Sequence, residues 1–254
     1  MGTLVLSNVA RSFGNVTAVR DVSFTVPPGT TFGLLGPNGA GKTTTMRMIL
    51  GILLPDGGSV TWDGKAVDLS VRRRFGYLPE ERGLYGKLKV REQIASAALH
   101  EPELLVLDEP FSGLDPVNAE TLLEALRALK QAGTTLILSS HQMWQIEDLC
   151  ESFCVIAGGT VRARGTLEEL RASWPTRIVE IEPVDDALRG VLDALPGARR
   201  LPEADRPALA YEIPADADTA ALLRRLVGAG NVTRFERVDP SLRDIYLRAI
   251  GAAA

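Results

Sequence analysis

The sequence predicts an α/β chain built on a largely parallel sheet, and three observations lead there. Short β-branched runs alternate with amphipathic stretches of helical period as far as about Trp174. The turn Gly36-Pro37-Asn38-Gly39-Ala40-Gly41-Lys42-Thr43 fits G-x-x-x-x-G-K-[ST] between an apolar run and a helical one. A second apolar run, Leu104-Leu105-Val106-Leu107, ends in two carboxylates, Asp108 and Glu109.

Residues 17–26 read as a strand, Pro27-Pro28-Gly29 as a turn, and residues 31–35 as the buried strand feeding the glycine-rich loop. A helix over 43–53 follows, halted by Pro55, Gly57 and Gly58. Asp63-Gly64, between Ser59-Val60-Thr61-Trp62 and Lys65-Ala66-Val67, is a hairpin signal, since both residues tolerate the positive φ of a tight turn. Residues 117–131 set Leu122, Leu126 and Leu129 on one helical face, with Gly133 as a left-handed cap. Residues 134–139 form the next apolar strand, and His141 stands just beyond it. After Trp174-Pro175 the order is strand, helix, strand, helix, strand, helix, without a catalytic motif. Residues 176–181 and 232–235 are strand-like, and Leu222, Leu223 and Leu226 mark one helix. Pro240 behind Asp239 opens the last helix, where Leu242, Ile245, Tyr246 and Ala249 share a face. The expected division is one domain over 1–174 and a small C-terminal α+β domain over 175–254.

With 254 residues, 45% apolar and 24% charged, the composition is that of a folded globular protein. A net charge of -4 and a pI near 5.4 offer nucleic acid no electrostatic footing, and Arg72-Arg73-Arg74 reads as a short solvated face. The longest apolar run, 48–54, falls far below the roughly 20 residues that span a bilayer. No charged-then-apolar leader opens the chain, and Leu6 stands where a myristoylation pattern needs Ser or Thr. A cytoplasmic protein that meets a membrane through a partner is expected. Cys150 and Cys154, where a helix end runs into an apolar strand, are expected as buried free thiols and not as a metal pair or disulfide.

In the glycine-rich loop, backbone N–H groups can point inward and the helix N-terminus adds partial positive charge, so phosphate oxygens can be held there. Lys42 supplies the formal charge, and Thr43 can place its hydroxyl on a Mg²⁺ bridging the same phosphates. A chance glycine turn would fit the letters, but the flanking strand and helix meet the context the motif requires. Asp108 ends its strand on the side where open α/β sheets bind ligands, and it can reach the Mg²⁺ shell through water. Glu109 can orient and deprotonate an attacking water, the alternative being an acidic strand-to-loop turn. Taken alone His141 is a plain surface or core residue; the order of the other motifs assigns it to the γ-phosphate.

Together the loop, Asp108-Glu109-Pro110, Ser112-Gly113-Leu114-Asp115 and His141 resemble the ATPase subunit of an ABC transporter, over residues 4–170. The resemblance implies that Phe13 stacks on adenine and that Gly36, Pro37, Asn38, Gly39, Ala40, Gly41, Lys42, Thr43 and Thr44 form Walker A. It makes Asp108 the Walker B aspartate, Glu109 the catalytic glutamate, Ser112 to Asp115 the D-loop and His141 the switch histidine. Gly76-Tyr77-Leu78-Pro79-Glu80 resembles the Q-loop, with Glu80 in the usual Gln position. That variant and the following Glu81-Arg82-Gly83-Leu84-Tyr85 are similar to the sodium- and drug-export branch. Its C-terminal appendage ends much as Asp239-Pro240-Ser241-Leu242-Arg243-Asp244-Ile245-Tyr246 does. Implied with these are a P-loop NTPase (ABC-type) fold, ATP and Mg²⁺, hydrolysis, a second ATPase subunit and a separate transmembrane permease.

One departure bears on function. No Leu-Ser-Gly-Gly-Gln-like signature lies between the Q-loop and Walker B. Val90-Arg91-Glu92-Gln93-Ile94 resembles the start of the helical subdomain and residues 95–102 the helix after the signature, fused directly. The helical subdomain is thus read as truncated. In this family the signature clamps the γ-phosphate bound to the opposite subunit, and the subdomain meets the permease. A non-hydrolysing ATP-binding remnant or regulatory module is the alternative reading. An ABC-type ATPase acting on ribosomes or DNA is disfavoured by the acidic charge and the single cassette.

Overall fold

The computed structural model describes residues 2–80, 90–140, 143–201 and 208–251. In chain order its elements are β1 (Leu4–Phe13), β2 (Val16–Val26), β3 (Thr31–Leu35), α1 (Lys42–Ile49), β4 (Gly57–Trp62), β5 (Lys65–Ala66), α2 (Leu69–Arg72), β6 (Phe75–Leu78), α3 (Val90–Ala98), β7 (Leu104–Leu107), α4 (Pro116–Gln131) and β8 (Thr135–Ser140). There follow α5 (Met143–Glu147), β9 (Ser152–Ala157), β10 (Thr160–Gly165), α6 (Leu167–Ala172), β11 (Thr176–Glu182), α7 (Asp186–Asp193), β12 (Arg199–Arg200), β13 (Leu209–Pro214), α8 (Thr219–Ala229), β14 (Arg234–Val238) and α9 (Leu242–Gly251). Two compact units result, one from residues up to 170 together with those from 242, the other from 171 to 241.

The first unit holds a ten-stranded sheet in the order β5-β4-β1-β2-β10-β9-β3-β8-β7-β6. The expected parallel pairing holds from β9 through β3, β8 and β7 to β6. Most of the other half is antiparallel, because tight turns such as Asp63-Gly64 (φ 52° and 74°) can join only antiparallel neighbours. β3, β7 and β8 are buried at every residue, which explains their unbroken apolar runs. Their register sets Leu35 beside Ser140 and Leu107 beside Leu138, so the segments leaving their carboxyl ends emerge at one edge.

Between β6 and β7 the described residues contain a single helix, α3, where the sequence suggested two joined pieces. It packs on β6 and α4, with Ile94 buried. Gly76 permits the approach, since a Cβ there would lie 2.6 Å from the Ala97 carbonyl oxygen. At the other end of the unit α9 packs on α5, β9 and β10, with Leu242 and Ile245 buried. In sequence this helix belongs to the expected C-terminal domain; in the structure its apolar face is covered by the first unit. Cys150 and Cys154 are free and buried, as expected.

The second unit runs β-α-β-β-α-β, with an antiparallel sheet in the order β12-β13-β11-β14. Val179, Ile181, Leu188, Leu192, Tyr211, Leu222 and Leu226 form its core. Among the described residues no helix is long and apolar enough to cross a membrane.

Candidate functional site

Beyond the carboxyl ends of β3 and β7 lies a cavity of about 500 Å³. Val16, Thr17 and Ala18 of β2 border it on one side and residues 37–44 on another, with the carboxylate residues Glu80, Asp108 and Glu109 completing the lining.

The loop takes its shape from Gly41, the N-cap of α1, at φ 103°. A Cβ there would come 2.5 Å from the Ala18 carbonyl oxygen, so both the turn and the close approach to β2 require glycine. Gly41 also brings no capping side chain. The start of α1 therefore presents N–H groups and the positive end of the helix dipole with no oxygen of its own cap upon them, an arrangement suited to an anion.

Lys42 opens α1 and is buried, with its Nζ donating to the Gly36 carbonyl at 2.6 Å and the Pro37 carbonyl at 3.4 Å. The same ammonium stands 3.5 Å from Glu109 Oε1, and the two side chains are only 7% and 8% exposed. Such a pair has lost its hydration and depends on hydrogen bonds for compensation. A phosphate could replace the carbonyls as the partner of the ammonium.

Asp108 extends β7, its N–H donating to the Leu78 carbonyl at 2.9 Å. Glu109 then leaves the strand at φ 47°, uncommon for a residue with a side chain. Ser139 joins the two: its hydroxyl donates to Asp108 Oδ1 and accepts the Glu109 N–H, both at 2.7 Å. The following turn is closed by the Ser112 N–H, which donates to the Glu109 carbonyl at 3.0 Å. Asp115 caps α4 by accepting the Asn118 N–H at 2.9 Å, and the Asn118 bonds hold its carboxyl below the usual range.

Burial, and then the charge of Asp108, push the Tyr77 hydroxyl above its ordinary pKa, with Arg47 opposing. The Tyr246 hydroxyl of α9 is raised by burial and secondarily by Glu109. Sequence reasoning missed Ser139 and the β2 wall. A hydroxyl pair closing an otherwise aliphatic run was the visible signal for Ser139.

The structure brings residues 37–44, Glu80, Asp108 and Glu109 to one cavity, with Gly36 buried at the end of β3. Phe13 is not in its lining. It pairs with Val16 at the rim, is 49% exposed, and has the Arg11 guanidinium carbon 5.1 Å from its ring centroid. His141 and residues 81–85 lie outside the described residues.

Thr43 and Asp108 are hard oxygen donors suited to Mg²⁺, an ion commonly held by one or two carboxylates plus substrate phosphates and water. The described residues contain no group of three or more His, Cys, Asp or Glu that could hold a metal ion.

Residues 19–93 match the family described as ABC transporter, and residues 165–250 that described as the C-terminal domain of DrrA1-3-like ATP-binding proteins. Residues 93–143 match an AAA domain family. The ABC transporter ATP-binding protein YhaQ of Bacillus subtilis (strain 168) is 37% identical over 297 positions, taking in 98% of this chain and 99% of its own length. The alignment is longer than this chain, so a few dozen positions of the relative have no counterpart here. The Nod factor export ATP-binding protein I of Cupriavidus pinatubonensis (strain JMP 134 / LMG 1197) is 31% identical over 98% of this chain and 90% of its own. Among solved structures, an ATP-binding subunit of an ABC transporter is 29% identical with a TM-score of 0.60, covering 66% of this chain and 92% of that one. A nucleotide-free ATP-binding cassette at 19% identity shares the fold, with a TM-score of 0.58 over 68% of this chain and 94% of that one. With a glycine loop, paired carboxylates and a DrrA-like C-terminal region on one P-loop scaffold, this chain belongs to the ATP-binding subunits of ABC transporters.

Proposed function

We propose that this chain hydrolyses ATP for an export-type ABC transporter, at the cytoplasmic face of a membrane, through a separate transmembrane permease and beside a second ATPase subunit. The carrying observation is the meeting of the α1 start, Lys42, Asp108 and Glu109 at one cavity. Relatives named for Nod factor export support the direction of transport. In this reading residues 1–174 are the nucleotide-binding domain and 175–254 the appendage in sequence, its last helix, α9, packing on the first unit.

The reaction is ATP plus water to ADP and phosphate. Residues 36–44 hold the phosphates, with Lys42 as the cation and Thr43 and Asp108 as the Mg²⁺ ligands. When bound, Mg²⁺ supplies neutralisation of phosphate charge. Glu109 takes a proton from the attacking water, Glu80 and His141 serve the γ-phosphate side, and Phe13 offers a flat face to adenine.

Two copies of this chain would both lack the signature clamp. Losing one donor on a transferring group from a dry site costs roughly 2.7–4 kcal/mol, a hundred- to thousandfold in rate. Phosphate release by the purified chain alone should therefore be very slow, and should rise when a full-length, signature-bearing ATPase subunit is added. Sustained turnover by the lone chain, abolished by Glu109→Gln, would show the signature to be dispensable. The absent signature also favours a second reading, a non-hydrolysing ATP-binding module. Mg-ATP binding with no turnover in any pairing would select it.

A further inference from the structure

β8 is buried at all six residues, and Ser139 within it is 0% exposed. A hydroxyl has one proton to give and two lone pairs. The Ser139 proton goes to Asp108 Oδ1 at 2.7 Å, and a lone pair takes the Glu109 N–H at the same distance. The hydroxyl thus ties together two residues whose backbones part: Asp108 continues the sheet, while Glu109 turns to φ 47°. That region is sparsely populated by residues with side chains and persists only where the surroundings hold it.

We propose that Ser139 is a positioning residue of the nucleotide site. It holds the Asp108 carboxylate through Oδ1 in one orientation, the one in which it would serve a Mg²⁺ shell, and anchors the turn that sets Glu109 beside Lys42. The inference rests on the Mg-ATP reading above and deepens it. Replacing the hydroxyl with hydrogen, as in Ser139→Ala, would remove the acceptor of the buried Glu109 N–H and a donor to the Asp108 carboxylate, loosening the orientation of both.

The test measures ATP affinity of the full chain by calorimetry in excess Mg²⁺ and in EDTA, for wild type, Ser139→Ala and Ser139→Thr. Ser139→Ala should lose about tenfold in Mg²⁺-dependent tightening, the scale on which groups orienting a metal ligand act, while affinity in EDTA stays within about twofold. Ser139→Thr, which keeps the hydroxyl, should restore the tightening. A parallel loss in Mg²⁺ and in EDTA would mark Ser139 as merely structural and overturn the proposal. So would unchanged Mg²⁺ dependence in Ser139→Ala, or no recovery in Ser139→Thr. Should Ser139→Ala not fold, Ser139→Cys, of similar volume with a weak donor, takes its place under the same expectation. Wild-type binding that ignores Mg²⁺ would overturn the Mg-ATP reading itself, an outcome separate from any effect of Ser139.

Discussion

The two units differ at one helix start. In the second, α7 and α8 each start behind an aspartate: Asp185 accepts the Ala187 and Leu188 N–H groups, and Asp218 those of Ala220 and Ala221. In the first, Asp68 and Asp115 cap α2 and α4 in the same way, but α1 starts behind Gly41, which brings no capping side chain, and Lys42 is its first residue. A capped helix has satisfied part of its terminal donors internally, whereas an uncapped one has them to offer. Buried charge divides the same way. Glu212 of the second unit pairs at 3.0 Å with Arg199, whose side chain is 60% exposed. Lys42 and Glu109 are both nearly closed off from solvent and lie beside Asp108 at one cavity. The contrast teaches that α7 and α8 have their first N–H groups satisfied from within, while the start of α1 keeps a set that a ligand would complete.

The sharpest way to break this contrast is Lys42→Ala. A ligand at a hundredfold excess over its Kd stabilises by about 2.7 kcal/mol. Mg-ATP should raise the melting temperature of the wild type, and Lys42→Ala should abolish that rise. A full shift in the variant would place the nucleotide elsewhere. Phe13→Ala comes next. Aromatic–base stacking is worth about 1–3 kcal/mol and does not read the base edge, so ATP and GTP binding should weaken alike in titrations. Unchanged affinities would move the adenine platform away from the β1–β2 turn.

Asp218→Ala probes the second unit. Loss of an N-cap costs about 1 kcal/mol, which should appear as a lower melting temperature with nucleotide affinity unaltered. A change in affinity would mean that the two units are not separable in function. The smallest effect is expected at the thiols. Burial pushes the Cys154 thiol up to about 12 and raises Cys150 as well, so at pH 8 both remain protonated, and the thiolate is the reactive form. A disulfide-exchange reagent should label neither in the native chain and both after denaturation. Rapid native labelling would show a core more open than its polar cavity alone implies.

Much of the candidate site was legible before folding was considered, because its motifs are local. The glycines, Lys42 and Thr43 are contiguous, and what they do follows from φ preferences and one helix end. Asp108 and Glu109 stood out because two carboxylates closing an aliphatic run oppose the usual composition of a buried strand. The parallel half of the sheet was legible from the same apolar runs, but the antiparallel half was not, since pairing direction depends on which strands a turn can join.

By itself, then, the sequence determined the phosphate loop, the acidic strand end, the missing signature and the elements that flank these motifs, each a matter of residue order over a few neighbours. Tertiary structure alone decided that Ser139, 31 positions from Asp108, closes the bridge between the two carboxylate residues. It also decided that Val16, Thr17 and Ala18 wall the cavity and that α9 lies with the first unit. The physical reason is register. Alternation and helical period say which face of an element is buried, but hydrogen bonding between distant strands selects the neighbour that face meets.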